Sequence, residues 1–275
     1  MSSLSDRLQD GEVLLAPGVF DALSARLAEC AGFPLAFLSG SAMSYAQLAR
    51  PDAGLLTSTD VALTLDKICD RVTIPVMVDV DSGFGNSINA YRTVRTLERA
   101  GAAGIQIEDQ QSTKQPADLF ARPLVSTEEM VGKIKASLDA RQKSTTLISA
   151  RTDALYTEGF DAAIDRVHEY LEAGADLIFI EGMRDQDQLV RARSEFERRI
   201  PLVYNCECGG RGVTFSGEEL RRAGYQVLLY PGVLVRAMAA AGAQALGQLI
   251  EASGAQPDLA DILAADEFLR RFRSA

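Results

Sequence analysis

Two acidic segments of the chain carry the residue types most suited to chemistry. In the first, Asp79 and Asp81 alternate with valines, and in the second Glu108 alternates with isoleucines. Successive side chains of a β-strand point to opposite faces, so each acidic set points away from its apolar neighbours. Carboxylates that crowd on one face repel one another and are costly to remove from water. The pattern therefore predicts a site for a hard cation of the magnesium type, which prefers oxygen ligands.

Short apolar runs alternate with amphipathic segments along almost the whole chain. This rhythm is typical of repeated βα units around a parallel sheet. Eight such units predict an α/β fold, a closed (β/α)8 barrel of the TIM type with an extra C-terminal helix. The predicted strands lie near residues 13–17, 35–39, 75–81, 104–109, 145–152, 177–181, 202–206 and 226–230.

Helix boundaries support this reading. Glycine just past a helix can adopt the left-handed cap conformation, and an Ala-Gly pair recurs before the second, fourth, sixth and eighth strands. These pairs are Ala31-Gly32, Ala100-Gly101, Ala173-Gly174 and Ala223-Gly224. Capping signals that predict helix starts are Ser58-Thr59-Asp60, Asn86-Ser87, Ser126-Thr127-Glu128-Glu129 and Ser216-Gly217-Glu218-Glu219.

The C-terminal end is predicted to add to the barrel. A helix near 232–252 follows the eighth strand, and a second amphipathic helix is expected near 258–273. We therefore expect one barrel domain over residues 1–275, with 253–275 as a helical extension. A terminal apolar helix suits a subunit contact, so the prediction is a homo-oligomer, either a dimer or a tetramer.

Five predicted strands each end in polar residues that point to the same face, opposite to their apolar neighbours. Their apolar neighbours must face the outer helices, so the polar set faces the mouth of the barrel, where active sites of such barrels lie. Solvated strand ends are the alternative for any one residue, but a phase shared by five strands favours a site. The set is Ser39, Asp79, Asp81, Glu108, Arg151 and Glu181.

Composition limits the classes of partner. The chain has 275 residues, a formal net charge of −10 and 47% hydrophobic residues. The negative charge argues against nucleic acid or an anionic membrane as partner, whereas a metal and one or two arginines can still bind a small anionic carboxylic acid. No run has eighteen uninterrupted apolar residues and the start has no signal pattern, so we expect a cytoplasmic protein without a membrane partner.

Several motifs together resemble one enzyme group. They are Phe37-Leu38-Ser39-Gly40-Ser41, Asp79-Val80-Asp81-Ser82-Gly83-Phe84-Gly85-Asn86, Ile107-Glu108-Asp109-Gln110 and Ala150-Arg151-Thr152-Asp153-Ala154. The likeness is to the isocitrate lyase and phosphoenolpyruvate mutase superfamily, and within it to the methylisocitrate lyase branch. Members of this superfamily make or break C–C or P–C bonds beside a 2-oxo acid or its enolate.

The resemblance implies a role for particular residues. Asp79, Asp81 and Glu108 would hold Mg²⁺, with Mn²⁺ as an alternative, directly or through water. Further implied roles are substrate binding by Ser39, Gly40, Ser41, Asp52, Glu181, Asn205 and Phe37, with Arg151 pairing to a carboxylate.

One loop departs from the family pattern. Family lyases carry a Lys-Lys/Arg-Cys-Gly-His signature after the fourth strand; here Lys114 remains, but Pro116 stands at the cysteine position and Asp118 at the histidine position. A proline side chain transfers no proton, so we expect slow or absent methylisocitrate cleavage. Residues 110–125 are predicted to form a lid, with Lys114 bringing positive charge and either water or Tyr45 supplying the proton.

These observations predict a magnesium-dependent carbon–carbon lyase. Its substrate would be a small 2-oxo or 2-hydroxy carboxylic acid, cleaved through a metal-stabilised enolate as in an oxaloacetate decarboxylase or a substituted-malate lyase. One alternative is a P–C bond enzyme that resembles phosphonopyruvate hydrolase or a phosphonomutase. Another is a non-catalytic barrel that binds a 2-oxo acid, although the intact acidic cluster and Arg151 favour catalysis.

Overall fold

Eight parallel strands close into a barrel in chain order, with the last strand paired to the first. The computed structural model describes residues 3–112, 122–196, 200–207 and 215–251. The closed barrel confirms the predicted (β/α)8 fold, and every predicted strand is present. The strands are β1 (Leu14–Val19), β2 (Ala36–Leu38), β3 (Val76–Asp79), β4 (Gly104–Glu108), β5 (Leu147–Thr152), β6 (Leu177–Ile180), β7 (Leu202–Asn205) and β8 (Tyr225–Tyr230).

Helices precede, connect and follow the strands. Those before β5 are α1 (Leu4–Gln9), α2 (Ala22–Cys30), α3 (Gly40–Leu48), α4 (Ser58–Cys69), α5 (Ser87–Arg99) and α6 (Thr127–Ala140). Those after β5 are α7 (Ala154–Thr157), α8 (Phe160–Glu172), α9 (Gln186–Glu195), α10 (Gly217–Arg222) and α11 (Val233–Glu251).

Strand alternation divides the core into two clusters. One set of strand side chains packs outward against the helices, as Val78 and Ile105 do. The other set fills the barrel interior, as Phe37 and Met77 do. Because one phase holds along each strand, the polar residues at the carboxyl ends continue the inward set.

Helix α1 closes the bottom of the barrel, a feature that the strand rhythm did not predict. Leu4 and Leu8 are buried and belong to the inner cluster. The backbone carbonyl of Leu8 accepts a hydrogen bond of 3.0 Å from Gln226 of β8. The interior is therefore apolar at the bottom and polar only near the carboxyl ends.

Most predicted helix starts are confirmed by hydrogen bonds at the caps. Asn86, Ser126 and Ser216 each accept a backbone N–H from the first turn of their helix. For α4 the prediction is off by one residue, because Thr57 is the N-cap and forms a capping box with Asp60.

Helix α11 differs from the other long helices because none of its residues is buried. By length and composition alone it could cross a membrane. Leu246 and Ile250 are 63% and 80% exposed. The predicted helix near 258–273, like the whole extension 253–275, lies outside the described residues.

Candidate active site

A pocket of about 350 Å³ opens at the carboxyl ends of the strands. This is the end at which barrel enzymes place their reacting groups, because each strand there passes into a variable loop. The lining residues are Phe37, Ser39, Ser41, Tyr45, Pro51, Asp52, Asp79, Gln106, Arg122, Arg151, Asp153, Tyr156, Phe179, Glu181, Arg184, Asn205, Glu207, Leu229 and Pro231.

The acidic cluster predicted from strand phase is present. Asp79, Asp81 and Glu108 each offer a carboxylate oxygen, and these oxygens lie within 4.8 Å of one another. Asp81 has a φ of 48°, in the left-handed region that non-glycine residues adopt rarely. Its carbonyl accepts the N–H of Glu108 at 2.9 Å, which ties the turn after β3 to the end of β4. Local strain at a cluster of like charges is typical of a binding site.

The first turn of α3 lies directly against this cluster. A Cβ added to Gly40 would stand 3.3 Å from Oδ2 of Asp79, so the backbone approaches the carboxylates closely. Ser39 caps the helix by accepting the N–H of Ala42, and its hydroxyl is 3.1 Å from that of Ser41. The positive end of the helix dipole therefore faces the pocket, which favours an anionic ligand.

The cluster fits a magnesium ion. All three side chains offer hard oxygen ligands, and Glu108 is only 1% exposed, so water does not screen its charge. Gly40 leaves room beside the carboxylates that a larger residue would fill. Asp79, Asp81 and Glu108 are therefore the residues that would hold the ion.

Arg151 projects inward from β5 and is surrounded by carboxylates. Its Nε and Nη2 donate to the two carboxylate oxygens of Asp153 at 2.9 and 2.8 Å. Its nitrogens also lie 3.4 Å from Glu108 and 3.5 Å from Glu181. Burial by itself would lower the pKa of this guanidinium, but the neighbouring carboxylates raise it above its ordinary value. The side chain is therefore charged and held in one orientation.

Asp109 fixes the backbone at Asp153, the residue whose carboxylate binds Arg151. Its fully buried carboxylate accepts the backbone N–H of Asp153 at 3.0 Å and the hydroxyl groups of Thr152 and Tyr170 at 2.6 and 2.8 Å. Burial raises the pKa of Asp109 to about 6, against these hydrogen bonds, which lower it. Arg166 lies 3.5 Å from the same carboxylate. The network fixes the end of β5, from which Arg151 extends.

On the far side of the pocket, β6 and β7 contribute a second polar group. Asn205 donates to Glu181 at 3.2 Å, so these two predicted substrate contacts orient each other. Glu207 pairs with Arg236 of α11 at 2.7 Å and accepts the backbone N–H of Gly232. The start of α11 is thereby tied to the pocket wall.

The structure brings most of the residues singled out in the sequence to one place. The pocket is lined by Phe37, Ser39, Ser41, Tyr45, Asp52, Asp79, Arg151, Glu181 and Asn205, while Gly40, Asp81 and Glu108 lie at the adjoining carboxylate cluster. Lys114, Pro116 and Asp118 lie outside the described residues. Cys206 does not line the pocket, and burial raises the pKa of its thiol to about 11.

Sequence reasoning assigned no role to several pocket residues. Gln106 shares the inward phase of Glu108 on β4, and that phase could have identified it. Asp153 follows Arg151 in the quoted motif, but its clamp depends on a loop conformation that no periodicity encodes. For Arg122, Tyr156, Arg184 and Glu207 the sequence holds no comparable signal.

Comparison with known proteins places the chain among metabolic enzymes. The family model for phosphoenolpyruvate phosphomutase matches residues 4–250. A 2-methylisocitrate lyase of Aeropyrum pernix is 41% identical over 262 residues, which are 94% of this chain and 82% of the relative. A 2,3-dimethylmalate lyase of Eubacterium barkeri is 39% identical over 232 residues, which are 84% of this chain and 79% of the relative.

Solved structures that are similar to this chain are also enzymes that act on small carboxylic acids. A structure of oxaloacetate acetylhydrolase with the inhibitor 3,3-difluorooxalacetate has a TM-score of 0.83 and 28% identity, covering 94% of this chain and 93% of that one. A structure of phosphonopyruvate hydrolase with oxalate and Mg²⁺ has a TM-score of 0.82 and 30% identity, covering 98% of this chain and 95% of that one.

The metal assignment can be tested by thermal unfolding of Asp81→Asn, which removes one charge and keeps a residue suited to a left-handed backbone. For the wild type, free Mg²⁺ at about 100 times its dissociation constant should add about 2.7 kcal/mol of stability. That is a rise of roughly 5 to 10 °C in Tm for a chain of this size. The variant should lose most of this rise.

Asp139→Asn is the matched control, because Asp139 is exposed on α6 and remote from the cluster. It should keep the full magnesium-dependent rise in Tm. An undiminished rise in Asp81→Asn would contradict the assignment of Asp81 as a ligand.

Proposed function

We propose a substrate and a mechanism from one premise: the chain belongs to the phosphoenolpyruvate phosphomutase family. With lyase relatives at 41% and 39% identity, the chain is a carbon–carbon lyase of small carboxylic acids. For the substrate we propose a 2-oxo or 2-hydroxy acid of the oxaloacetate or substituted-malate type. The observation that carries this proposal is the meeting of the acidic cluster, the start of α3 and Arg151 in one small pocket.

The metal supplies one part of the chemistry. Mg²⁺, or Mn²⁺ in its place, held by Asp79, Asp81 and Glu108 would act as a Lewis acid that stabilises negative charge developing on a substrate oxygen. With an oxaloacetate-type acid, cleavage would release CO2 and leave the electron pair of the broken C–C bond on the carbon beside the carbonyl group, and that carbon would then take a proton. With a substituted malate, the 2-hydroxyl group would give up its proton as it becomes the carbonyl of the released 2-oxo acid, and the electron pair would pass to the neighbouring carbon, which would then take a proton.

The protein side chains orient the acid and shield it from water. Ser39, Gly40 and Ser41 would bind the carboxylate and carbonyl end through the first turn of α3. Arg151, held in place by two hydrogen bonds to Asp153, would pair with a substrate carboxylate through Nη1, the nitrogen that lies 3.4 Å from Glu108. Rigid donors lose little entropy when the substrate binds, so they also favour the geometry of the transition state.

In this proposal, the proton reaches the substrate carbon at the mouth of the pocket. Tyr45 lines the pocket and is 53% exposed, so its hydroxyl can exchange protons with solvent. Asp52, Glu181, Asn205 and Phe37 would complete the substrate contacts. Lys114 would bring positive charge from the loop after β4; this role remains a sequence-based prediction.

Steady-state assays with Mg²⁺ on oxaloacetate, 2,3-dimethylmalate, methylisocitrate and phosphonopyruvate test the proposed substrate class. We expect turnover of oxaloacetate or of the substituted malate and little cleavage of methylisocitrate, because Pro116 offers no proton. Lys114→Ala should lower the rate on the active substrate. Robust methylisocitrate cleavage by the wild type would refute the proton-donor argument, and an unchanged Lys114→Ala variant would remove the lysine from the mechanism.

The same assay decides between carbon–carbon chemistry and the second candidate, cleavage of a P–C bond. The structural likeness to phosphonopyruvate hydrolase is the reason for this second candidate. Phosphate release from phosphonopyruvate, without cleavage of any of the carbon acids, would establish it.

Arg151→Lys tests the proposed carboxylate ligand. Lysine keeps the charge but replaces a planar fork by a single point charge, so catalytic efficiency should fall by about tenfold or more. Arg141→Lys is the matched control, because Arg141 pairs with Asp176 at 2.6 Å away from the pocket. Equal kinetics in both variants would count against a substrate contact for Arg151.

We also propose that a second copy of the chain covers α11, and that the protein is a cytoplasmic homo-oligomer. An exposed apolar helix needs a partner, and a net charge of −10 disfavours an anionic bilayer as that partner. Light scattering during gel filtration should give the mass of a dimer or tetramer. A monomer, or one that pellets with neutral lipid vesicles, would contradict this assignment.

A further inference from the structure

Arg122 places a positive charge in the pocket wall, and no described residue pairs a carboxylate with it. The residue is only 6% exposed and lines the pocket. Its Nη1 donates to the neutral amide oxygen of Gln110 at 3.1 Å. Among the residues that the structure describes, its Nε has no hydrogen-bond partner and no carboxylate lies within 4 Å of its nitrogens.

Such an arrangement is unfavourable in the ligand-free protein. A buried charge without a partner of opposite sign is strongly destabilising, whereas a buried ion pair with good hydrogen bonds recovers much of the lost solvation. Arg166 shows the usual solution, because it forms a two-pronged pair with Glu158. Within the described residues the guanidinium of Arg122 has no such partner, which points to an anionic ligand.

Backbone hydrogen bonds hold the segment that carries Arg122 in place. Gln110 and Leu124 form an isolated antiparallel bridge, and the N–H of Gln111 donates to the carbonyl of Pro123 at 2.9 Å. The N–H of Val125 donates to the carbonyl of Asp109 at 2.8 Å. These bonds join the segment that carries Arg122 to the end of β4, so its guanidinium is preorganised.

Arg151 is less suited than Arg122 to bind a second anionic group of the substrate. Arg151 has Asp153, Glu108 and Glu181 around it, so its immediate surroundings carry a net negative charge. Arg122 faces only a neutral amide in the described structure. A second anionic group on the substrate would therefore gain more from Arg122.

We propose that Arg122 binds the carboxylate at the end of the substrate remote from the metal-binding group, and so selects acids that carry a second carboxylate. This inference rests on the proposed function, because it takes the acidic cluster as the site that binds the 2-oxo end. Arg122 is then a specificity-determining residue: an acid that ends in a methyl group would leave its charge buried and unpaired.

Calorimetric titrations of the magnesium-loaded protein with two ligands test the two ends of the pocket independently. Oxalate can occupy only the metal end, whereas 3,3-difluorooxaloacetate also carries a remote carboxylate. In Arg122→Gln we expect the dissociation constant of 3,3-difluorooxaloacetate to rise about 30-fold and that of oxalate to change less than about twofold. Arg122→Lys should fall between wild type and Arg122→Gln, because it keeps the charge and loses the fork.

Arg50→Gln is the matched control, because Arg50 is exposed beside Pro51 at the pocket mouth. It removes the same charge and should leave both affinities unchanged. The Tm of ligand-free Arg122→Gln should not fall, since the substitution removes a buried unpaired charge.

The outcomes distinguish this inference from the proposed function. Failure of oxalate to bind the magnesium-loaded wild type would overturn the proposed function and the inference with it. Normal oxalate binding with equal weakening of both probes, or with no weakening of 3,3-difluorooxaloacetate, would overturn the role of Arg122 alone. A large fall in Tm for Arg122→Gln would make Arg122 a structural residue and would also overturn it.

Discussion

Repulsion among the carboxylates at the ends of β3 and β4 is the constraint on which the site depends. Asp79, Asp81 and Glu108 place oxygens within 4.8 Å of one another, and Glu108 is buried. At such separations like charges in a poorly screened environment interact strongly. A divalent cation would change the sign of this interaction, and Arg151, which lies 3.4 Å from Glu108, offsets part of the repulsion in the ligand-free protein.

The surrounding framework resists that repulsion. The left-handed turn at Asp81 is tied to β4 through the N–H of Glu108, and Gly40 allows α3 to approach the same carboxylates. On the other side, Asp109 and Asp153 fix Arg151, which lies 3.4 Å from Glu108. Rigid positioning of charged groups is what allows them to act on a substrate without reorganising.

The apolar interior gives the site a single open end. Helix α1 places Leu4 and Leu8 at the bottom of the barrel, while Phe37 and Phe179 belong to the inner cluster and also line the pocket. A bound acid would therefore contact apolar side chains below and polar side chains around it. This low-polarity floor strengthens the electrostatic contacts above it.

The sequence by itself determined the barrel, its strand phase and the acidic cluster. Alternation along a strand is a local property, so Asp79, Asp81 and Glu108 could be assigned to one face without knowledge of their neighbours. Tertiary structure alone decided which residues complete the site. Tyr170 bonds to Asp109 across 61 positions of the chain, and Arg122 reaches the pocket through a bridge between Gln110 and Leu124. Such contacts depend on how distant segments pack, and no period in the sequence encodes them.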